Sequence, residues 1–196
     1  LVGITMQSYL SNTILKCKQM AITLDTNAVT ANQRKIFTSL FFDSDSEIVY
    51  LGIYSSTAKK LGLTNSILNI EYAKENKIDS KFFTKVIQQN EESLDRVLSG
   101  GVIIVNVNKE NNTIPFLGLA VPYTKDLLSQ KVIIAILKLD TILSIFSQRG
   151  IFQTYMSDMN GNVLAHPEKE KVFSASNLVS SPLIQEMLKS QVSTGQ

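Results

Sequence analysis

The chain has 196 residues, of which 44% are hydrophobic and 18% charged, and a net charge of +2. A chain of this size buries about 70% of the surface that its unfolded form exposes, which excludes wholesale disorder and a disulfide-stapled miniprotein. The 19 basic and 17 acidic residues are scattered, so the concentrated basic footprint that phosphate backbones require is missing and no nucleic-acid partner is expected.

From Met6 onward the apolar residues advance by threes and fours: Met6, Leu10, Ile14, Cys17, Met20, Ala21 and Leu24. The spacing predicts a long amphipathic helix with a seam near a heptad repeat. A second stripe, Leu15 and Ile22, gives the helix two apolar sides, so it packs on its own sheet, on a partner helix, or on both. Met6, Leu10, Cys17 and Leu24 are the candidate dimer seam. Thr30 is placed to cap a second helical segment carrying Ile36, Phe37, Leu40 and Phe41, and the run Asp43-Ser44-Asp45-Ser46 ends it.

Glu47–Tyr54 is β-branched and aromatic between polar turns, which predicts a strand, and Ser66–Tyr72 is a weaker strand candidate. Lys81–Leu98 has helical spacing and stops at Ser99-Gly100-Gly101, where glycine supplies a helix C-cap. Three strands follow, Val102–Val107, Thr113–Val121 and Val132–Leu139, and the short turns between them demand antiparallel neighbours. Val132-Ile133-Ile134-Ala135-Ile136-Leu137 shows no alternation, so both its faces are covered and it is the central strand. Asp140 caps a short helix through Phe146. Asp158-Met159-Asn160-Gly161 then joins two short strands, Thr154–Ser157 and Val163–His166, since Asn-Gly is a strong hairpin signal. Pro182 opens a last helix through Leu188, at a position where its missing N–H costs nothing. The start at Leu1 and the polar tail Ser193–Gln196 read as cuts from a longer chain.

The groups that carry chemistry are few. One cysteine, Cys17, and one histidine, His166, exclude an internal disulfide, multi-cysteine zinc sites and His-pair metal centres, so no metal and no cofactor is expected. Asp158-x-Asn160-Gly161-Asn162 departs from a calcium loop, with glycine at the fourth position and Lys169 at the twelfth. His166-Pro167-Glu168 sets an imidazole beside a carboxylate, but a residue before proline is held extended and here ends a strand. Ser99-Gly100-Gly101 lies between helix and strand, the wrong order for a phosphate cradle. Asp43, Asp45 and Glu47 read as a solvated turn. No catalytic residue is assigned. An enzyme using His166, Asp158 and Glu168 stays as a rival reading. Tyr54, Tyr72, Asn106, Phe116 and Tyr123 are the groups suited to a small-molecule pocket, and residue types alone do not separate that pocket from a plain core.

The fold class is α+β: a long N-terminal helix, then an antiparallel sheet with helices on one face, then a hairpin that begins a second unit. This order resembles the extracytoplasmic double Cache sensors, a PAS-like family of bacterial receptors. The resemblance rests on Phe116-Leu117-Gly118-Leu119-Ala120-Val121-Pro122-Tyr123, on Val132–Leu139 with Asp140, on Tyr155–Pro167 with its D-x-N-G and A-H-P elements, and on Ser181-Pro182-Leu183-Ile184. It implies a signalling and dimerisation helix over 1–45, a membrane-distal Cache module over 46–149 and the first part of a membrane-proximal module over 150–196. It further implies a non-catalytic sensor outside the inner membrane, working as a homodimer and held by transmembrane helices beyond this stretch. Its partner would be a small-molecule ligand, and its output an adenylate/guanylate cyclase. Alternatives are a histidine kinase, a chemotaxis receptor, or a pocketless adhesion module. Amino-acid-binding members carry a tyrosine, arginine and tryptophan cluster before the third strand and an aspartate after it. This chain has no tryptophan, and Ser93-Leu94 and Asn106–Asn112 lack those groups, so the expectation is a neutral or weakly polar ligand, or a vestigial distal pocket with sensing left to the proximal module.

Overall fold

A computed structural model of the chain describes residues 2–26, 29–44, 47–57, 60–79, 81–90, 95–108, 114–124, 130–147, 154–158, 160–174 and 176–190. Helix α1 (Val2–Asp25) is followed by α2 (Ala31–Ser44), whose first turn is closed by a reciprocal capping box. The Thr30 hydroxyl accepts from the Gln33 N–H at 3.3 Å and the Gln33 side chain accepts from the Thr30 N–H at 2.9 Å. Strands β1 (Ile48–Thr57) and β2 (Lys60–Leu68) form a hairpin that leads into the short helix α3 (Ile70–Glu75). Ser66–Tyr72 is therefore not one strand. Asn69 ends β2 and caps α3, its side-chain oxygen accepting from the Tyr72 N–H at 3.0 Å, and this turns Tyr72 onto a helix.

Lys81–Leu98 is likewise not one helix. Helix α4 (Phe82–Gln89) ends where the Asn90 side chain donates to the Val86 carbonyl at 2.8 Å, and a 3₁₀ turn spans Asp95–Ser99. Strands β3 (Ile103–Asn106), β4 (Phe116–Thr124) and β5 (Lys131–Lys138) complete a five-stranded antiparallel sheet of order β2-β1-β5-β4-β3. Strand β5 is the central strand, buried from Val132 to Leu137 on both faces, as its unbroken apolar run requires. Helix α5 (Asp140–Ser147), the β6–β7 hairpin (Met156–Ser157 and Val163–Ala165), α6 (Lys169–Phe173) and α7 (Pro182–Ser190) follow.

The sheet divides the core. On one face Leu51, Ile53, Leu117, Leu119, Ile133 and Ala135 pack under α1 and α5 and also meet Val163, Leu164, Ala165 and Val172 from the C-terminal segment. On the other face Tyr50, Tyr54, Phe116, Ile134 and Ile136 pack under α4 and the 3₁₀ turn. Helix α1 turns Met6, Thr13, Cys17, Met20, Ala21 and Leu24 onto this sheet. Of the candidate seam, Met6, Cys17 and Leu24 are buried in the chain's own core, and Leu10 packs against that core. The stripe turned to solvent is Ile4, Leu15 and Ile22, at 67%, 55% and 59% exposure. Two polar contacts pin the C-terminal end of α1: the Asn65 side chain donates to the Leu24 carbonyl at 2.9 Å, and Lys131 pairs with Asp25. Among the described residues no helix is long and apolar enough to cross a membrane.

Candidate functional site

Strand period places Tyr50, Gly52 and Tyr54 on one face of β1. Gly52 has a steric purpose. A Cβ there would lie 2.6 Å from the Tyr54 ring and 2.7 Å from the Tyr50 hydroxyl, so only glycine lets the two rings close over the strand. Their hydroxyls meet at 2.8 Å. The Tyr50 ring stacks on Phe83 with centroids 5.5 Å apart, Phe83 meets Phe116 edge-on at 5.7 Å, and Phe116 meets Tyr72 edge-on at 6.5 Å. Phe82 closes the group against Phe83 and Phe116. The result is an aromatic layer between the sheet and α3–α4, with a hydroxyl pair at one end and Tyr72 at the other.

Electrostatics keep this layer uncharged. Burial pushes the phenols of Tyr50 and Tyr54 up, and for Tyr54 the neighbouring Tyr50 adds to the rise. Tyr72 is pushed up to about 12, by burial first and then by the charges of Asp140 and Glu47. The Lys138 ammonium sits 5.0 Å from the Tyr72 ring centre, a cation–π contact at the rim. These phenols are neutral at physiological pH and act as hydrogen-bond donors and acceptors, not as charges.

Of the five sequence-predicted pocket residues, the structure brings Tyr54, Phe116 and Tyr72 together and puts Asn106 and Tyr123 elsewhere. Tyr123 packs on the α1 face, its phenol raised by burial and by Asp25. Asn106 is a staple: its side-chain N–H₂ donates to the carbonyls of Val163 and Val172, both at 2.8 Å, and its oxygen accepts from the backbone and side chain of Asn108. Asn108 in turn holds both backbone groups of Phe116, at 2.7 Å each. Sequence reasoning missed Tyr50, Phe82 and Phe83. The signal for Tyr50 was present in the small residue flanked two places either side by tyrosine.

The hairpin motifs are structural. The Asp158 carboxylate accepts from the N–H groups of Asn160 and Asn162 and from the Asn162 side chain, all within 2.9 Å, so its lone pairs build the turn. Gly161 is left-handed at φ 81°, and a Cβ there would meet the Val179 backbone at 2.7 Å. His166 is buried, its Nδ1 accepting from the Glu168 N–H at 2.9 Å. Asp45, Met159 and the tail 191–196 lie outside the described residues, as do Ser93-Leu94 and 109–113.

No protein-family profile and no curated protein matches this chain. Solved structures do match it in fold. The ligand-binding domain of the Pseudomonas aeruginosa PAO1 amino acid chemoreceptor PctC, in complex with GABA, aligns at TM-score 0.54 and 12% identity, over 92% of this chain and 76% of that one. The extracellular domain of the putative histidine kinase mmHK1S-Z3 aligns at 0.51 and 8%, over 95% and 73%. The ligand-binding domain of the Pseudomonas fluorescens chemoreceptor CtaA, in complex with L-valine, aligns at 0.50 and 16%, over 97% and 77%. The chain has the α+β fold of these sensor domains.

Proposed function

We propose that this chain is the extracytoplasmic ligand-sensing region of a bacterial transmembrane signalling receptor of the double Cache type, itself without catalytic activity. The observation that carries the reading is the sheet of order β2-β1-β5-β4-β3 with an aromatic, hydroxyl-bearing layer on one face, in a fold shared with ligand-binding sensor domains. The layer around Tyr50, Tyr54, Phe83, Phe116 and Tyr72 is the ligand site. Its phenols are neutral, so it selects an uncharged small molecule with a flat or apolar body and a polar tip for the Tyr50–Tyr54 hydroxyls. Residues 46–149 form the distal module and 150–196 begin the proximal one. Membrane-spanning helices outside residues 1–196 hold the region at the inner membrane, and two copies associate along the outward stripe of α1.

The output is a nucleotide cyclase, a reading supported by the resemblance of Ser181-Pro182-Leu183-Ile184 and the tail Thr194-Gly195-Gln196 to the sensors of such enzymes. A histidine kinase or chemotaxis output is the second reading, favoured by the names of the structural neighbours. Reading the coding sequence beyond Gln196 decides between them.

A thermal-shift screen of neutral and charged metabolites tests the sensor reading, because a ligand of the native state alone stabilises it by RT ln(1 + [L]/Kd). The expected result is a neutral hit whose shift is lost in Tyr54→Phe. A hit seen only with a longer chain that carries the complete second module moves the site out of the aromatic layer.

A further inference from the structure

Strand β2 ends the sheet and pairs on one side only, with β1. The Asn69 N–H donates to the Val49 carbonyl at 2.8 Å, and the register continues through Ile67↔Leu51 and Asn65↔Ile53. That phase turns the backbone N–H and C=O of Ser66 and Leu68 away from β1, toward solvent. Edge strands ordinarily refuse partners with charged side chains or proline. From Leu61 to Leu68 this one has neither.

Two open grooves, of about 490 and 620 Å³, flank the same edge and share Thr38, Ser66 and Ile67, so they form one trough from the start of α2, past β2, to α3. Its apolar lining includes the buried Ile67, the half-buried Ile78 and the exposed Ile70. Its rims are basic: Arg34 and Lys35 on the α2 side, Lys74 and Lys77 on the α3 side. Among the described residues no carboxylate lines either groove, and the two glutamates of α3, Glu71 and Glu75, are not among its lining residues.

We propose that this trough docks an extended, acidic polypeptide segment, which adds to β2 as a sixth strand. The open shape fits an extended chain better than a small molecule, which an enclosed pocket would bury. The outward N–H and C=O of the strand edge are matched in spacing by another peptide backbone. Charge selects the partner. A second copy of this chain pairing edge to edge would bring four more cations against these four, whereas carboxylates at alternate positions of a bound strand face them with opposite sign. The surface lies at the rim of the sheet and serves a macromolecular partner, so it stands independently of the aromatic layer.

The test is to pan a library of random nonapeptides, displayed on phage, against the whole chain and to measure enriched synthetic peptides by fluorescence anisotropy at low and moderate salt. The expected sequences carry Asp or Glu at alternate positions and bind at least tenfold more weakly to an Arg34→Glu/Lys74→Glu variant with an unchanged melting temperature. N-methylation of alternate peptide amides abolishes binding without touching the protein, and Ser66→Pro, which removes an outward N–H while leaving the β1 ladder intact, does the same. The proposal is overturned if no sequence enriches, if the enriched peptides are neutral or basic, or if the charge-reversed variant binds equally well. Concentration-dependent dimers in sedimentation that Ser66→Pro dissolves would overturn it in favour of self-pairing.

Discussion

Asn106 shows how a polar residue that looks like a ligand-binding group serves the fold. Its amide donates to the carbonyls of two buried residues, Val163 and Val172, so Asn106→Ala leaves both without this partner. A buried acceptor stripped of its donor costs about 1–3 kcal/mol, and a loss of about 2 kcal/mol or more in urea denaturation is the expected result. A loss near zero would mean that water replaces the staple. Sequence alone ranked Asn106 with Tyr54 because both are polar groups in a strand. The side-chain period would have separated them, since Asn106 follows Ile103 by an odd number and so points to the other face.

His166 carries a pH dependence whose sign follows from its surroundings. Burial, then the charge of Lys171, lowers its pKa below the usual 6.5, and Glu168 offsets this only in part. The unfolded chain therefore takes up the proton first. Stability is complete above about pH 6.5, declines as the pH falls through that value, and levels once native His166 is also protonated. Melting temperatures measured from pH 7.5 to 5 should fall in the wild type and flatten in His166→Asn, which keeps an acceptor near the Nδ1 position. An equal slope in both would assign the dependence to other groups.

At the scale of elements, α1 presents different faces to the sheet and to solvent. If copies associate along the outward stripe of α1 as proposed, then in the full-length protein with Cys17 replaced by alanine Leu15→Cys and Ile22→Cys should crosslink between copies, whereas Leu10→Cys should not. Efficient crosslinking at 10 alone would restore the original seam and require α1 to leave its own sheet. The periodicity of α1 was legible, but both stripes are apolar, and periodicity counts sides without saying what each meets. The central strand was legible because an uninterrupted β-branched run has one cheap environment. The breaks at Asn69 and Asn90 were not, because a single asparagine side chain redirects the backbone there and leaves the apolar spacing unchanged. Helix α6, five residues long, offers too little sequence to show a period.

At the scale of the whole molecule, one core spans the proposed boundary at residue 149. Val163, Leu164, Ala165 and Val172 are buried in the same core as the sheet and α1. Thermal unfolding followed by near-ultraviolet and far-ultraviolet dichroism should therefore give one coincident transition. A chain ending at residue 149 should melt at lower temperature, because the surface that these residues cover becomes wet. Two separate transitions in the intact chain would show that the units fold independently. The position of β5 adds a consequence in time. The hairpin of β1 and β2 is available early during synthesis, yet the partner on its other side, with Leu51 against Ala135 and Ile48 against Leu137, arrives more than eighty residues later. The sheet is thus completed from its middle and last, by a strand that must enter between two already made edges. Closing so long a loop is slow, and until it closes β1 is an apolar edge open to any strand nearby. Those edges stay unpaired until residue 138 has emerged from synthesis.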